Sequence, residues 1–267
     1  MNRIDKKFKD LRARKRKAFI AYITAGDPDL AMTKQIVPAL EGAGVDIIEL
    51  GIPFSDPLAD GPTIQAASHR ALDRKVTLKK IFALVRELRR STDIPIAFMT
   101  YYNPVLRYGV ERFVKSCRDN GVDGVIIPDL PYEEAKDLIR SAKREKLATI
   151  FLAAPTSTKS RIKDIIKNST GFIYYVSLTG VTGTRRELPP EVARNVRAIK
   201  SMTGKPVAVG FGISDARQAR SIAGIADGVI VGSAIVKIIA DNQKNNNAII
   251  SRVSNFSKKL ARAIHND

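Results

Sequence analysis

At 267 residues and 44% apolar composition, the chain has enough material for a sizeable core and matches the roughly 250 residues of a one-domain barrel. No apolar run approaches the roughly 20 residues that span a bilayer, and the single Cys117 excludes an internal disulfide or a multi-cysteine metal site. Lys and Arg number 45 against 27 acids, a formal net charge of +18, which is a balance also met in proteins that bind nucleic acid or membrane surfaces. Apart from RARKRK at 12–17, however, the basic residues are dispersed over amphipathic segments such as KKIFALVRELRR at 79–90. No RNP-type aromatic motif, zinc finger or arginine-rich tail accompanies them. Solvated helix faces therefore account for the excess better than a polyanion site. The basic N-terminus is followed by FIAYITAGDP, a strand and turn rather than a signal segment, and the expectation is a soluble, reduced, cytoplasmic protein.

Taken in order, the chain alternates strands and helices. Residues 2–15 predict an amphipathic helix with Ile4, Phe8 and Leu11 on one face. A strand at 18–24 and a helix at 29–42 follow. The second strand, 45–50, runs into an acidic loop, and two helices at 63–73 and 77–91 are split at Val76-Thr77, with Thr77 as a cap. The third strand, 94–100, exits through the loop Tyr101-Tyr102-Asn103-Pro104, and the helix 109–120 is closed by Asn120-Gly121. The fourth strand, 124–127, leads through Pro128-Asp129-Leu130-Pro131 to a helix at 132–145. The fifth, 148–153, precedes a helix at 159–168. The sixth, 172–177, opens a long Gly- and Thr-rich loop before a helix at 190–202. The seventh, 206–210, is followed by a helix at 215–222, and the eighth, 228–231, by a short helix at 234–240. After a polar break at 242–247, a last helix covers 248–264. Eight short apolar runs, each followed by a helical pattern, mean parallel strands with crossover helices, and eight such units close most naturally into an α/β (β/α)8 TIM barrel. No composition shift divides it, so residues 1–267 are expected to form one domain.

The chemistry concentrates in 44–65, GVDIIELGIPFSDPLADGPTIQ. Glu49 is set into the end of an apolar strand, where an unpaired charge costs several kcal/mol. Two readings stand: a catalytic group at the C-terminal end of a barrel strand, or a carboxylate paired with Lys or Arg or facing solvent. Asp56 and Asp60 lie in the Gly/Pro-punctuated loop that follows, and Asp56 also suits an Asx turn. Gly210-Phe211-Gly212 follows the seventh strand, and Gly232-Ser233 opens the short helix after the eighth. Loops at those two places often cradle phosphate on a barrel, and unshielded N–H groups at a helix start bind anions. Gly180, Thr182 and Gly183 after the sixth strand would supply a third side. The ligand class is then a phosphorylated small molecule, with plain turns as the alternative. His69 and His265 read as surface residues, no metal set is present, and no lysine stands at a strand end for Schiff-base chemistry. Glu49 and Asp60 remain as the acid/base pair.

The stretch 44–65, with ITAGDP (23–28), MTYYNP (99–104), GVIIPDLP (124–131), SLTGVTG (177–183), GFGIS (210–214) and GSAIVKII (232–239), resembles the signature blocks of the tryptophan synthase alpha chain family, in the family's order. The resemblance implies a TIM barrel with an extra N-terminal helix that cleaves indole-3-glycerol phosphate to indole and glyceraldehyde 3-phosphate. It also implies a beta chain in an alpha2-beta2 heterotetramer, which receives the indole by channelling and carries the pyridoxal phosphate, so that this chain itself needs no cofactor. Residue by residue, Glu49 matches the catalytic glutamate and Asp60 the catalytic aspartate. Tyr22, Met99, Tyr101, Ile127, Leu152 and Tyr174 match the indole pocket, and Thr182 the mobile loop that meets Asp60. Gly183, Phe211, Gly212, Gly232 and Ser233 match the phosphate cradle. Pro53, Asp56, Asn103, Pro104, Asp129 and Pro131 match the rim that docks on the beta chain. Tyr22 stands where the family commonly has phenylalanine, so its hydroxyl needs a polar neighbour. The +18 charge exceeds what the family leads one to expect. The alternatives are another phosphate-binding barrel with a different substrate and a non-catalytic basic scaffold.

Overall fold

The computed structural model describes residues 2–176, 189–210 and 212–265. Its strands are β1 (Ala18–Thr24), β2 (Ile47–Gly51), β3 (Ile96–Met99), β4 (Gly124–Ile126), β5 (Ala148–Ile150), β6 (Leu152–Ala153), β7 (Ile173–Val176), β8 (Val207–Gly210) and β9 (Gly228–Val231). All pair in parallel, in the order β5-β4-β3-β2-β1-β9-β8-β7-β6. The two ends of that order, β5 and β6, are consecutive pieces of one segment separated by Phe151 alone. The first piece pairs with β4 and the second with β7, so the sheet closes into a barrel through this segment. The expected fifth strand at 148–153 is thus one segment whose ladder changes partner at Phe151. The break is shallow, since the Phe151 carbonyl still accepts from the Tyr174 N–H at 3.2 Å.

Barrel strands buried on both faces read as continuous apolar runs, and β1 is buried at all of its positions. Alternation then sorts the residues into two layers. Phe19, Ala21, Ile23, Ile48, Leu50, Ile96, Phe98 and Val125 point outward into the helix layer. Ala18, Ile20, Ile47, Ala97, Ile126, Ala148, Ile150, Phe172, Ala208 and Ile230 fill the interior, where they meet Ile4, Phe8 and Leu11 of the helix Arg3–Ala13. That helix closes the N-terminal end of the barrel, with the Phe8 and Phe172 rings 5.7 Å apart. The lower interior is therefore filled with hydrocarbon.

Several boundaries differ from expectation for identifiable reasons. The exit Tyr101–Pro104 is a helix start, not a loop: the helix Tyr102–Tyr108 is capped by Asp129, whose carboxylate oxygens accept the Tyr102 N–H at 2.9 and 3.1 Å. No local pattern reveals a cap supplied from 27 residues away. The helix expected at 132–145 begins only at Lys136, and the last helix, Asn246–His265, absorbs part of the polar break. His265 is not a surface residue. It is buried, with Nε2 2.8 Å from Asp46 Oδ2, because the terminal helix folds back beside β1 and brings its end to the residue preceding β2. His69 is exposed, as expected. Thr77 caps the helix Leu78–Leu88, and Gly121 closes the helix Val110–Asn120 in the left-handed conformation at φ 85°.

Candidate active site

Along β2 the period of two places Ile47, Glu49 and Gly51 inside the barrel and Ile48 and Leu50 outside. Glu49 stands opposite Tyr22 of β1 and Ala97 of β3, above the apolar interior. Its side chain is 1% exposed, and it has no ion-pair partner among the described residues. Its Oε2 makes no hydrogen bond to a described group. The acid therefore does not face solvent, and no Lys or Arg among the described residues pairs with it. Burial first, and then the charge of Asp60, push the Glu49 carboxyl up to about 8, so it is protonated at neutral pH.

Asp60 occupies the loop between β2 and the helix Pro62–Asp73, half-buried beside the barrel mouth. Burial raises its carboxyl to about 6, opposed by a hydrogen bond from the Tyr101 hydroxyl. The same hydroxyl accepts the Ala59 N–H at 3.0 Å, and the Tyr101 ring stacks on Phe54 with centroids 5.2 Å apart. Two carboxyls of different proton affinity thus share one site, the higher in the dry interior and the lower at the rim. Between about pH 6 and 8 the first is an acid while the second is an anion.

The walls are apolar and aromatic. Tyr22, Ala67 and Val236 form one buried cluster with Ile64 and Met99 packed against it, while Leu152 and Tyr174 pack on the interior from the opposite side. The Tyr22 hydroxyl finds its polar neighbour in Thr24 Oγ1 at 3.3 Å. Burial and the nearby acids raise the phenols of Tyr22 and Tyr174, so both are neutral donors. Ile127 does not belong with them. It packs in the outer layer against the helices, and Ile126, opposite Met99 in the β3–β4 ladder, is the inward residue. The sequence reading missed Ile126, because four consecutive apolar residues carry no mark of which parity faces inward. Only pairing with a neighbour of known orientation supplies it.

The expected anion cradle is represented by Gly212, Gly232 and Ser233. Gly232 precedes the helix Ser233–Asp241, and its carbonyl accepts from Ile235 and Val236 at 2.8 and 3.1 Å. The N–H groups of Ser233 and Ala234 come before the first intrahelical bond and point out of the helix start. Gly212 follows β8, the neighbour of β9, at φ 49°, with open space where a Cβ would stand. Thr182, Gly183 and Phe211 lie outside the described residues.

On the rim, Asp56, Asn103 and Asp129 are exposed, Pro104 and Pro131 half-buried, and Pro53 buried. Asp56 accepts from Ser55 Oγ at 2.8 Å, and Asp129 is the cap of the helix Tyr102–Tyr108. Two further residues of the same rim went unmarked in the sequence: Leu58, 92% exposed, and Leu106, 57% exposed. Among the described residues no group of three His, Cys, Asp or Glu side chains is placed to hold a metal ion.

The chain is similar to known proteins over nearly its whole length. A family model described as the tryptophan synthase alpha chain matches residues 8–265. The chain is 53% identical over 240 residues to the tryptophan synthase alpha chain of Caldanaerobacter subterraneus subsp. tengcongensis, covering 90% of this chain and 91% of that one. It is 49% identical over 267 residues to that of Geobacter sulfurreducens, covering 100% of each. Its fold is similar to the crystal structure of tryptophan synthase subunit alpha from Legionella pneumophila, with a TM-score of 0.93, 36% identity and 100% of both chains covered.

Proposed function

The chain belongs to the tryptophan synthase alpha chain family, and we propose that Glu49 and Asp60 carry its reaction. That reaction is the lyase cleavage of indole-3-glycerol phosphate to indole and glyceraldehyde 3-phosphate in tryptophan biosynthesis. The observation that carries the assignment is the state of Glu49: buried, without an ion pair among the described residues, and holding its proton at neutral pH.

Indole is a poor leaving group until its C3 is protonated. Glu49 gives its proton to C3, forming an indolenine whose positive charge centres on the ring nitrogen. Asp60, ionised above about pH 6, accepts the hydrogen bond from the ring N–H and stabilises that charge. The bond between C3 and the glycerol carbon then breaks, its electron pair returning to the ring. The Glu49 carboxylate takes the proton from the glycerol 3'-hydroxyl as that carbon becomes the aldehyde. One buried carboxyl serves as acid and then base, which a proton affinity near neutrality allows. The indole ring lies against Tyr22, Met99, Ile126, Leu152 and Tyr174, and the phosphate is held at Gly212, Gly232 and Ser233, with Gly183 and Phe211 read as completing the cradle and Thr182 as meeting Asp60. Water exclusion by the long loop after β7 completes the site in this reading.

The family works with a beta chain. In the reading we favour, the rim of Pro53, Asp56, Asn103, Pro104, Asp129 and Pro131, extended by Leu58 and Leu106, docks on that partner in an alpha2-beta2 assembly, residues 1–267 act as one barrel domain in the cytoplasm, and pyridoxal phosphate belongs to the partner alone. Among the described residues no helix is long and apolar enough to cross a membrane. The test is indole release from indole-3-glycerol phosphate by wild type and Glu49→Gln, each with and without a cognate beta chain. Wild-type release should rise sharply with the partner, while Glu49→Gln should lose 10²–10⁴-fold in turnover yet still bind substrate. More than about a tenth of the wild-type rate in Glu49→Gln would remove Glu49 from the role.

A further inference from the structure

We propose that Gln65 and Arg70, both on the helix Pro62–Asp73, are positioning residues that hold Asp60 against the substrate nitrogen. The proposal rests on the role given to Asp60 above. Asp60 sits at the end of a loop whose Ser55, Asp56, Leu58, Ala59 and Gly61 are exposed, with Pro57 alone buried between them, so its own packing supplies few constraints beside its hydrogen bonds. Among the described residues, two side chains from outside the loop hydrogen-bond to it. One is Tyr101, through Ala59 and the Asp60 carboxyl. The other is Gln65, whose Nε2 donates to the Asp60 carbonyl at 2.9 Å and reaches the Pro57 carbonyl at 3.4 Å. The Asp60 N–H itself closes a turn onto the Pro57 carbonyl at 3.0 Å. A single amide therefore spans the turn that carries the acid, and the position of Asp60 is inherited from the helix that carries Gln65.

That helix needs an anchor of its own. Its inner face meets Tyr22 and Val236 through Ile64 and Ala67, a contact of apolar groups that resists separation more than it resists sliding or rotation. Direction comes from Arg70. Its Nε and one terminal nitrogen each lie 2.8 Å from a different oxygen of Asp27, a carboxylate 1% exposed in the turn after β1. That turn is tied down in its own right: the Gly26 N–H donates to Thr33 Oγ1 at 2.9 Å and the Asp27 N–H to the Thr24 carbonyl at 3.2 Å. A planar fork on a buried carboxylate sets both the place and the rotation of the helix, which a lysine's point charge does not. The links run from the end of β1 through Asp27 and Arg70 to the helix, and through Gln65 to Asp60. Neither Gln65 nor Arg70 is placed among the groups that touch the reacting atoms.

The test compares Gln65→Met, Arg70→Lys and, as reference, Asp60→Asn in the full chain with its cognate beta chain. Gln65→Met keeps the length of a half-buried side chain and removes its amide, whose N–H groups hold the turn, and Arg70→Lys keeps a cation for Asp27 and removes only the fork, so both variants fold. We expect kcat/KM for cleavage to fall about 10- to 100-fold in each, the cost of a misplacement near 1 Å. The acid limb of the pH profile should move down from about 6 toward ordinary aspartate behaviour, because a loosened loop returns Asp60 to water. A merely structural role would lower the melting temperature and leave that limb in place. The inference is overturned if Asp60→Asn abolishes turnover while both helix variants keep more than half the wild-type rate with an unmoved acid limb. Full activity in Asp60→Asn would instead overturn the role of Asp60, and this inference with it.

Discussion

The hydroxyl of Tyr22 fills the space in which a Cβ of residue 51 would stand. Tyr22 and Gly51 are on neighbouring strands, two residues out of register and so on the same face, and the tyrosine ring lies across the glycine at the mouth of the barrel. The aromatic wall and the start of the acidic loop therefore depend on each other. In Gly51→Ala the new methyl collides with the ring, so the ring or the backbone of β2 has to shift. We expect a loss of about 1–3 kcal/mol in stability, typical of overpacking, together with a clear loss of indole release. A denaturation midpoint equal to wild type would show that the close approach is inconsequential.

The two acids set the pH dependence. With Glu49 at about 8 and Asp60 at about 6, kcat/KM should be bell-shaped, rising through about pH 6 and falling through about pH 8. Asp60→Asn should cut turnover steeply, and its residual rate should lack the lower limb and show the upper one moved down, because the Asp60 charge that helps raise Glu49 is gone. A flat profile across that window would separate these acids from the rate.

Glu49 also governs stability with pH. Its folded value is raised above the ordinary 4.5, so the folded chain binds the extra proton between about 4.5 and 8. Stability is therefore lost as pH rises through that window, by an amount on the order of a few kcal/mol from this group, and is constant beyond it. Denaturation of wild type and Glu49→Gln at pH 5 and pH 8.5 measures this directly. The difference in stability between them should shift in favour of the variant at the higher pH.

Adjacent residues at the end of β4 should behave differently. Ile126 faces the interior with Met99, and Ile127 faces the helices. Ile127→Ala is expected to cost about 2–5 kcal/mol of stability with little change in KM at a temperature where it remains folded. Ile126→Ala should add a several-fold rise in KM, because it also removes part of the indole wall. Equal KM values for the two variants would place both outside the pocket.

Ser233→Asp probes the anion site. Ser233 is the first exposed residue of its helix, where an acid suits the helix dipole, so folding should be unharmed. The added charge would stand where the phosphate is expected. We predict a rise of about tenfold or more in KM with a smaller change in kcat, read from steady-state cleavage. An unchanged KM would move the phosphate elsewhere.

What the sequence by itself determined here is the alternation. Eight apolar runs, each punctuated by Gly or Pro and followed by a helical period, leave a parallel barrel as the natural closure, and one acid at the end of such a run marks the site. These are local signals, carried by residues within a few positions of one another. What only the tertiary structure decided is relational. The burial of Glu49 above the apolar interior, the burial of His265 against Asp46, the capping of Tyr102 by Asp129 and the inward face of Ile126 all depend on groups distant in sequence. The fork of Arg70 on Asp27 joins residues 43 apart. Orientation about a strand and the partner of a buried charge are properties of the closed barrel, because side-chain parity is fixed only when neighbouring strands pair in register.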